Sequence, residues 1–219
     1  MPSPTKHALL SASSAHRWLS APPLPRLEQY FPQSTSTAVA ERTSAHALAE
    51  YKVHRALGDL KFPRPSSDYQ CNEMEVLTDD YTFYVMEQYA KAETFAKDPL
   101  IKVELILDFS QYVPEGFGTG DCVIVSDHLL HIIDFKYGKG VKVVAHNNPQ
   151  MRLYKLGALA IFGNLYNIDE VETTIFQPRM SNINTWTIPV KELMHWANTE
   201  LKEKAELAFM GKNTILRFQ

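Results

Sequence analysis

The sequence predicts an α/β domain with a central mixed sheet flanked by helices. Three observations carry this. The chain has 219 residues, 45% hydrophobic and 21% charged, which suits one folded domain with a sizeable core. Its middle holds three short apolar runs, Lys102–Phe109, Gly120–Ser126 and Leu129–Lys136, of strand length and composition. Stretches with helical spacing lie before and after them. The same composition excludes other classes. No apolar run approaches the ~18 residues of a membrane-spanning helix. The stretch from Met1 to Trp18 lacks the apolar core of a secretion signal. Cys71 and Cys122 are too few for a disulfide framework or a cysteine-only zinc site. A cytoplasmic, reducing setting is expected.

The elements follow in order. Residues 1–10 are expected as a loose tail and 11–219 as a single domain. Ser11 to Leu19 reads as a short helix, with Ser11 or Ser13 as N-cap, ended by Ala21-Pro22-Pro23-Leu24-Pro25. A long helix is expected from Ala38 to Leu57, closed by Gly58. Lys61 to Ser67, with Pro63 and Pro65, reads as a loop. Asp79 to Lys97 is a second helix, its first acids favourable at a helix start. The second and third strands are joined by Asp127-His128 and form an antiparallel hairpin. Val141 to Ala145 reads as a further strand. Asn147-Asn148-Pro149 starts a helix, with Asn as cap and Pro at the first helical position, running to about Phe162. Val171 to Gln177 reads as a strand and Val190 to Met210 as the last helix.

Net charge is −3, but it is unevenly spread. Asp134 to Lys155 holds Lys136, Lys139, Lys142, Arg152 and Lys155 against Asp134 alone, a net of +4 that leaves −7 for the rest. A basic stripe on an acidic body suits a polyanion held at one place. A solvated face would give the same count.

Chemistry concentrates around Asp134-Phe135-Lys136. Residues two apart on a strand share a face, so the carboxylate and the ammonium project together. Asp121 starts the preceding hairpin strand and can lie beside Asp134. Two carboxylates that close repel, and a divalent cation with oxygen ligands relieves them. With a lysine beside them, the set points to metal-assisted phosphodiester hydrolysis. Gln150 and Tyr154, four apart on a helix, share a face, as do His46 and Glu50. Taken alone, each pair reads as structural: a capping Gln with a core Tyr, and a partly buried His in a helical ion pair. His46 and Glu50 do not form the HExxH zinc signature. Asp108, Asp127 and His131 read as turn and surface positions.

Four segments together resemble a known family. They are Ser44–Glu50 (SAHALAE), Gly118–Asp121 (GTGD), Ile132–Gly140 (IIDFKYGKG) and Asn148–Tyr154 (NPQMRLY). In this order and spacing they resemble the RecB-like branch of the PD-(D/E)xK nucleases, and within it a phage-associated group carrying domain of unknown function 2800. The resemblance runs from Ser11 to the last helix. It implies the PD-(D/E)xK, restriction-endonuclease-like core. It implies a Mg²⁺- or Mn²⁺-dependent DNA nuclease, an exonuclease of phage or prophage DNA recombination or repair in a bacterial host cell. Asp121 and Asp134 would be metal-binding acids, the Phe135 carbonyl a further ligand and Lys136 the catalytic lysine. His46 would join the metal from the helical side. Gln150 and Tyr154 would brace the site and contact DNA. Glu104 resembles the acid that lambda-type exonucleases add. Lys139, Lys142, Arg152 and Lys155 would hold the DNA backbone. A single-strand-annealing or single-strand-binding protein is an implied partner. A catalytically inactive nucleic-acid-binding module of the same fold is the alternative.

Two departures stand out. The Gly-Thr that precedes the family's histidine motif is Arg42-Thr43 here. The iron–sulfur cluster of many RecB-like relatives needs four cysteines, whereas Ala21-Pro22 replaces the first Cys-Pro and no cysteine follows Cys122. No iron–sulfur cluster is expected.

Overall fold

The computed structural model describes residues 8–31 and 36–212. Five strands form one mixed sheet in the order β1 (Leu100–Asp108), β2 (Phe117–Val125), β3 (His128–Phe135), β4 (Ile168–Gln177) and β5 (Asn182–Pro189). Only β3 and β4 run parallel, and the crossover between them contains a helix, as parallel neighbours require. The helices are α1 (Ala15–Ser20), α2 (Leu24–Glu28), α3 (Thr37–Ala56), α4 (Asn72–Phe95), α5 (Pro149–Phe162, the crossover), α6 (Val190–Trp196) and α7 (Lys202–Met210). None among the described residues is long and apolar enough to cross a membrane.

Both faces of the sheet are covered, and β3 shows how. Leu130 and Ile132 pack into a core with α5, α1 and the last helices; Ile133 and Phe135 pack into a second core with α3 and α4. A strand buried on both sides carries apolar residues on both faces, as Leu129–Phe135 does apart from His131 and Asp134.

Local chemistry sets several boundaries as expected. Gly58 adopts φ 89° just past α3, and the Asp59 amide donates back to the His54 carbonyl. Asn148 caps α5, its Oδ1 accepting from the Met151 amide at 3.3 Å, with Pro149 in the first turn. The β2–β3 hairpin turns through Asp127-His128, with His128 at φ 72°.

Other boundaries differ. α4 begins at Asn72, seven residues before the expected Asp79. Its buried stripe of Met74, Thr78, Tyr81 and Val85 already starts there, and Glu73 and Glu75 are the acids of its first turn. Helix α1 ends before Ala21 as expected, but a further short helix, α2, starts at Leu24 within the proline-rich stretch, because a proline is tolerated in a first helical turn. Strand β5 was not expected: its alternating exposure and its Asn and Thr residues are those of a polar sheet edge. Val141–Ala145 is not a strand; side chains take the place of a ladder there. The last helix widens into a π segment at Ala197–Leu201. The tail expected over 1–10 gives way by Leu10, which is fully buried in the core; residues 1–7 lie outside the described residues. His131, expected at the surface, is buried, with Nε2 2.8 Å from Thr174 Oγ1 and Nδ1 3.4 Å from Glu172. Burial pulls its imidazole down to about 4.

Candidate active site

The hairpin register pairs Cys122 with Ile133, and one residue further it sets Asp121 against Asp134. Here, at the end of the sheet, α3 from one layer and α5 from the other meet β2 and β3. Asp121 is tied on both oxygens. Oδ2 accepts from the Phe135 amide at 2.7 Å, and Oδ1 lies 3.2 Å from His46 Nδ1. Burial raises the Asp121 carboxyl, but the His46 and Lys136 charges and these hydrogen bonds hold it below the usual range. His46 responds reciprocally: burial opposes its charge, and Asp121 outweighs burial and raises its pKa.

Asp134 is buried to 3% exposure. Its Oδ2 makes no hydrogen bond of good alignment, although Lys136 Nζ approaches to 2.8 Å. Burial, and then the neighbouring Asp121, raise its pKa against the pull of Lys136. Lys136 Nζ also donates to Gln150 Oε1 at 3.3 Å, and Gln150 Nε2 donates to the Tyr154 hydroxyl at 3.1 Å. One polar line therefore runs Asp134–Lys136–Gln150–Tyr154, from the strand to the helix.

Glu104 enters by a backbone irregularity. Val103 pairs with Cys122 and Leu105 with Gly120, leaving Glu104 outside the ladder at φ 49°. A non-glycine residue in this region costs ~1–3 kcal/mol. Burial, and then Asp121, push the Glu104 carboxyl up to about 8. Ligand atoms of His46, Glu104 and Asp121 lie within 4.8 Å of one another. The space among them and Glu50, Tyr81 and Phe135 is about 10 Å³, room for one ion or water. Two carboxylates and an imidazole fit a hard divalent cation such as Mg²⁺ or Mn²⁺, while Asp134, expected as a ligand, lies outside this group and turns its Oδ2 to Lys136. Phe135 also meets Asp121 through its backbone amide.

Small residues make the room. A Cβ on Gly118 would lie 2.7 Å from Tyr154 Cε1, and one on Gly120 would lie 2.9 Å from Leu107 Cδ1. The Gly-Thr-Gly-Asp run thus admits the tyrosine ring and the core beside Asp121.

The structure brings His46, Glu104, Asp121, Asp134, Lys136, Gln150 and Tyr154 together. It separates the expected backbone-binding residues. Lys139 and Lys142 are exposed. Lys155, expected at the DNA backbone, is instead fully buried, Nζ 4.4 Å from the Trp186 ring centre, with burial pulling its ammonium down to about 7. Arg152, expected there as well, instead has its guanidinium between Trp186 and Trp196, 5.2 and 4.8 Å from their ring centres, and bonds Asn147. Two and five residues from Gln150, these side chains leave α5 on another face. Sequence reading missed Arg179. It packs 3.8 Å over the Tyr137 ring and pairs with Glu41 and Glu73, joining the chain after Lys136 to both long helices.

Among solved structures, that of SSO0001 aligns with 93% of this chain and 89% of its own at 14% identity and a TM-score of 0.34, a likeness too slight to carry function. The family model "Protein of unknown function (DUF2800)" matches residues 7–217, nearly the whole sequence, and the chain belongs to that family.

Proposed function

We propose that the protein is a metal-dependent deoxyribonuclease with a PD-(D/E)xK core, acting as an exonuclease in phage or prophage DNA recombination. The observation that carries this reading is the convergence of Asp121, Asp134, Lys136 and the Gln150–Tyr154 pair at one end of the sheet. Asp121 and Asp134, with Glu104 and His46, would hold a divalent cation, which supplies Lewis-acid polarisation of the scissile phosphate. The protein's own groups do the rest. Phe135 N–H and His46 fix Asp121 before anything binds. Lys136 Nζ, steered by Asp134 and Gln150, presents protons toward the phosphate oxygens and offsets charge that builds during in-line attack by water. Tyr154 holds the Gln150 amide in the orientation that accepts from Lys136.

The test is digestion of linear and covalently closed circular duplex DNA with Mg²⁺, Mn²⁺ or EDTA, beside Lys136→Ala. Loss of linear DNA alone, requiring metal and Lys136, is the expected result. Cutting of circles as well would make it an endonuclease on the same chemistry. DNA bound but never cut in any metal would replace the enzyme with a binding module of the same fold.

A further inference from the structure

The chain between Lys136 and α5 crosses the corner made by β4 and β5 without joining a ladder, yet its backbone is held. Gln177 Nε2 donates to the carbonyls of Gly138 and Val141 at 3.1 and 3.0 Å, and its Oε1 accepts from the Val143 amide at 3.0 Å. Asn182 and Asn184 both donate to the Val143 carbonyl, and Asn184 Oδ1 accepts from the Ala145 amide. The three amides also bond one another in series, Asn184 to Asn182 and Asn182 to Gln177. Three side chains thus satisfy five backbone groups of one loop, and Gln177 is 2% exposed in doing so. The outer side of this loop displays Lys139 and Lys142 to solvent. Lys142 has no ion-pair partner among the described residues, whereas Lys139 lies 3.4 Å from Glu73.

An exposed loop with open glycines at 138 and 140 would ordinarily sample many conformations. Ordering it in advance removes an entropic cost that a ligand would otherwise bear. The loop begins two residues after Lys136, so fixing it also fixes the lysines relative to the reaction centre. Two ammonium groups on a rigid rail suit successive phosphates and read no base sequence.

We propose that Gly138–Ala145 is a preorganised rail for the backbone of the DNA strand entering the site, and that Gln177, Asn182 and Asn184 are positioning residues that aim Lys142 and, secondarily, Lys139. This rests on the nuclease reading above. The test is binding of a fluorescent linear duplex in EDTA over a salt series, with cleavage in Mg²⁺ measured in parallel. Lys142→Ala should lower the slope of log affinity against log salt by about 0.9. Gln177→Ala should raise Kd and KM several-fold and leave kcat at saturating DNA close to wild type. In the Gln177→Ala background, Lys142→Ala should cost clearly less than it does alone. Asn184→Ala, on the half-exposed edge strand, gives the same test where the Gln177 variant fails to fold. Additive effects of the two substitutions, or a loss of kcat with unchanged Kd, would overturn the rail. Wild-type protein that binds DNA with this coupling but never cuts it would remove the nuclease reading and leave the rail standing. No binding of DNA by wild type would remove the rail.

Discussion

Helix α5 presents two unlike faces. Gln150 and Tyr154 reach the polar line that ends at Lys136 and Asp134. Arg152 and Lys155, only a few residues away, are packed against Trp186, and Arg152 also against Trp196. In the sequence all four belong to one basic, polar stretch. In the fold, the helical phase assigns half of them to the site and half to the core. Charge along a chain therefore marks a candidate surface only after the phase of each element is known.

The largest effect should come from the end of the polar line. Lys136→Ala or Asp134→Ala should slow single-turnover cleavage of linear duplex by ~10²–10³-fold, while Arg152→Ala leaves the rate near wild type. Equal losses in all three would erase the distinction between the faces. Next comes Gly118→Ala, whose new Cβ would meet the Tyr154 ring at 2.7 Å. It should cost about 1–3 kcal/mol of stability by overpacking, read from denaturant unfolding, and part should return in Gly118→Ala/Tyr154→Leu. A Gly118→Ala variant as stable as wild type would show that the ring has somewhere else to go.

Tyr154→Phe removes only the hydroxyl that accepts from Gln150. A lost hydrogen bond of about 1 kcal/mol corresponds to a rate reduced roughly fivefold, with the melting temperature little changed. No change in rate would release Tyr154 from the line.

The smallest effect lies on the other face. Lys155 has its ammonium pulled from 10.5 to about 7 by burial. Between those values the unfolded chain binds the proton and the folded one does not, so this group's contribution to stability rises with pH and its full penalty applies below about 7. Lys155→Met should raise the melting temperature by about 2–4 °C near neutral pH, more at pH 6 than at pH 10. A gain independent of pH would mean the lysine is charged in the folded protein at all of them.

Much of the fold was legible because local chemistry set it. Gly58 ends α3, Asn148-Pro149 starts α5, and a run with apolar residues on both of its faces becomes a strand buried on both sides. Strand β5 was not legible, because an edge strand needs no apolar face to hold its register when β4 supplies the ladder. The start of α4 was carried by Met74 and Thr78, whose stripe is seen only when the acids after them are not taken as the cap. For the candidate site, the D-x-K spacing places Asp134 and Lys136 on one face, and the hairpin turn brings Asp121 beside them. Nothing local indicates that Arg179 from the β4–β5 corner clamps Tyr137, or that Gln177, Asn182 and Asn184 hold a loop some forty residues earlier.

By itself, then, the amino-acid sequence determined the elements, the hairpin register and the company kept by Asp121, Asp134 and Lys136, since each depends on neighbours within a few residues or across one turn. Only the tertiary structure decided which charges are exposed. It buried Lys155 and His131, sandwiched Arg152, gave Glu104 a positive φ within its strand opposite Asp121, and left Lys139 and Lys142 exposed to solvent. Burial and its electrostatic consequences depend on what the other layers bring to each face, and that is set by packing between elements distant in the chain.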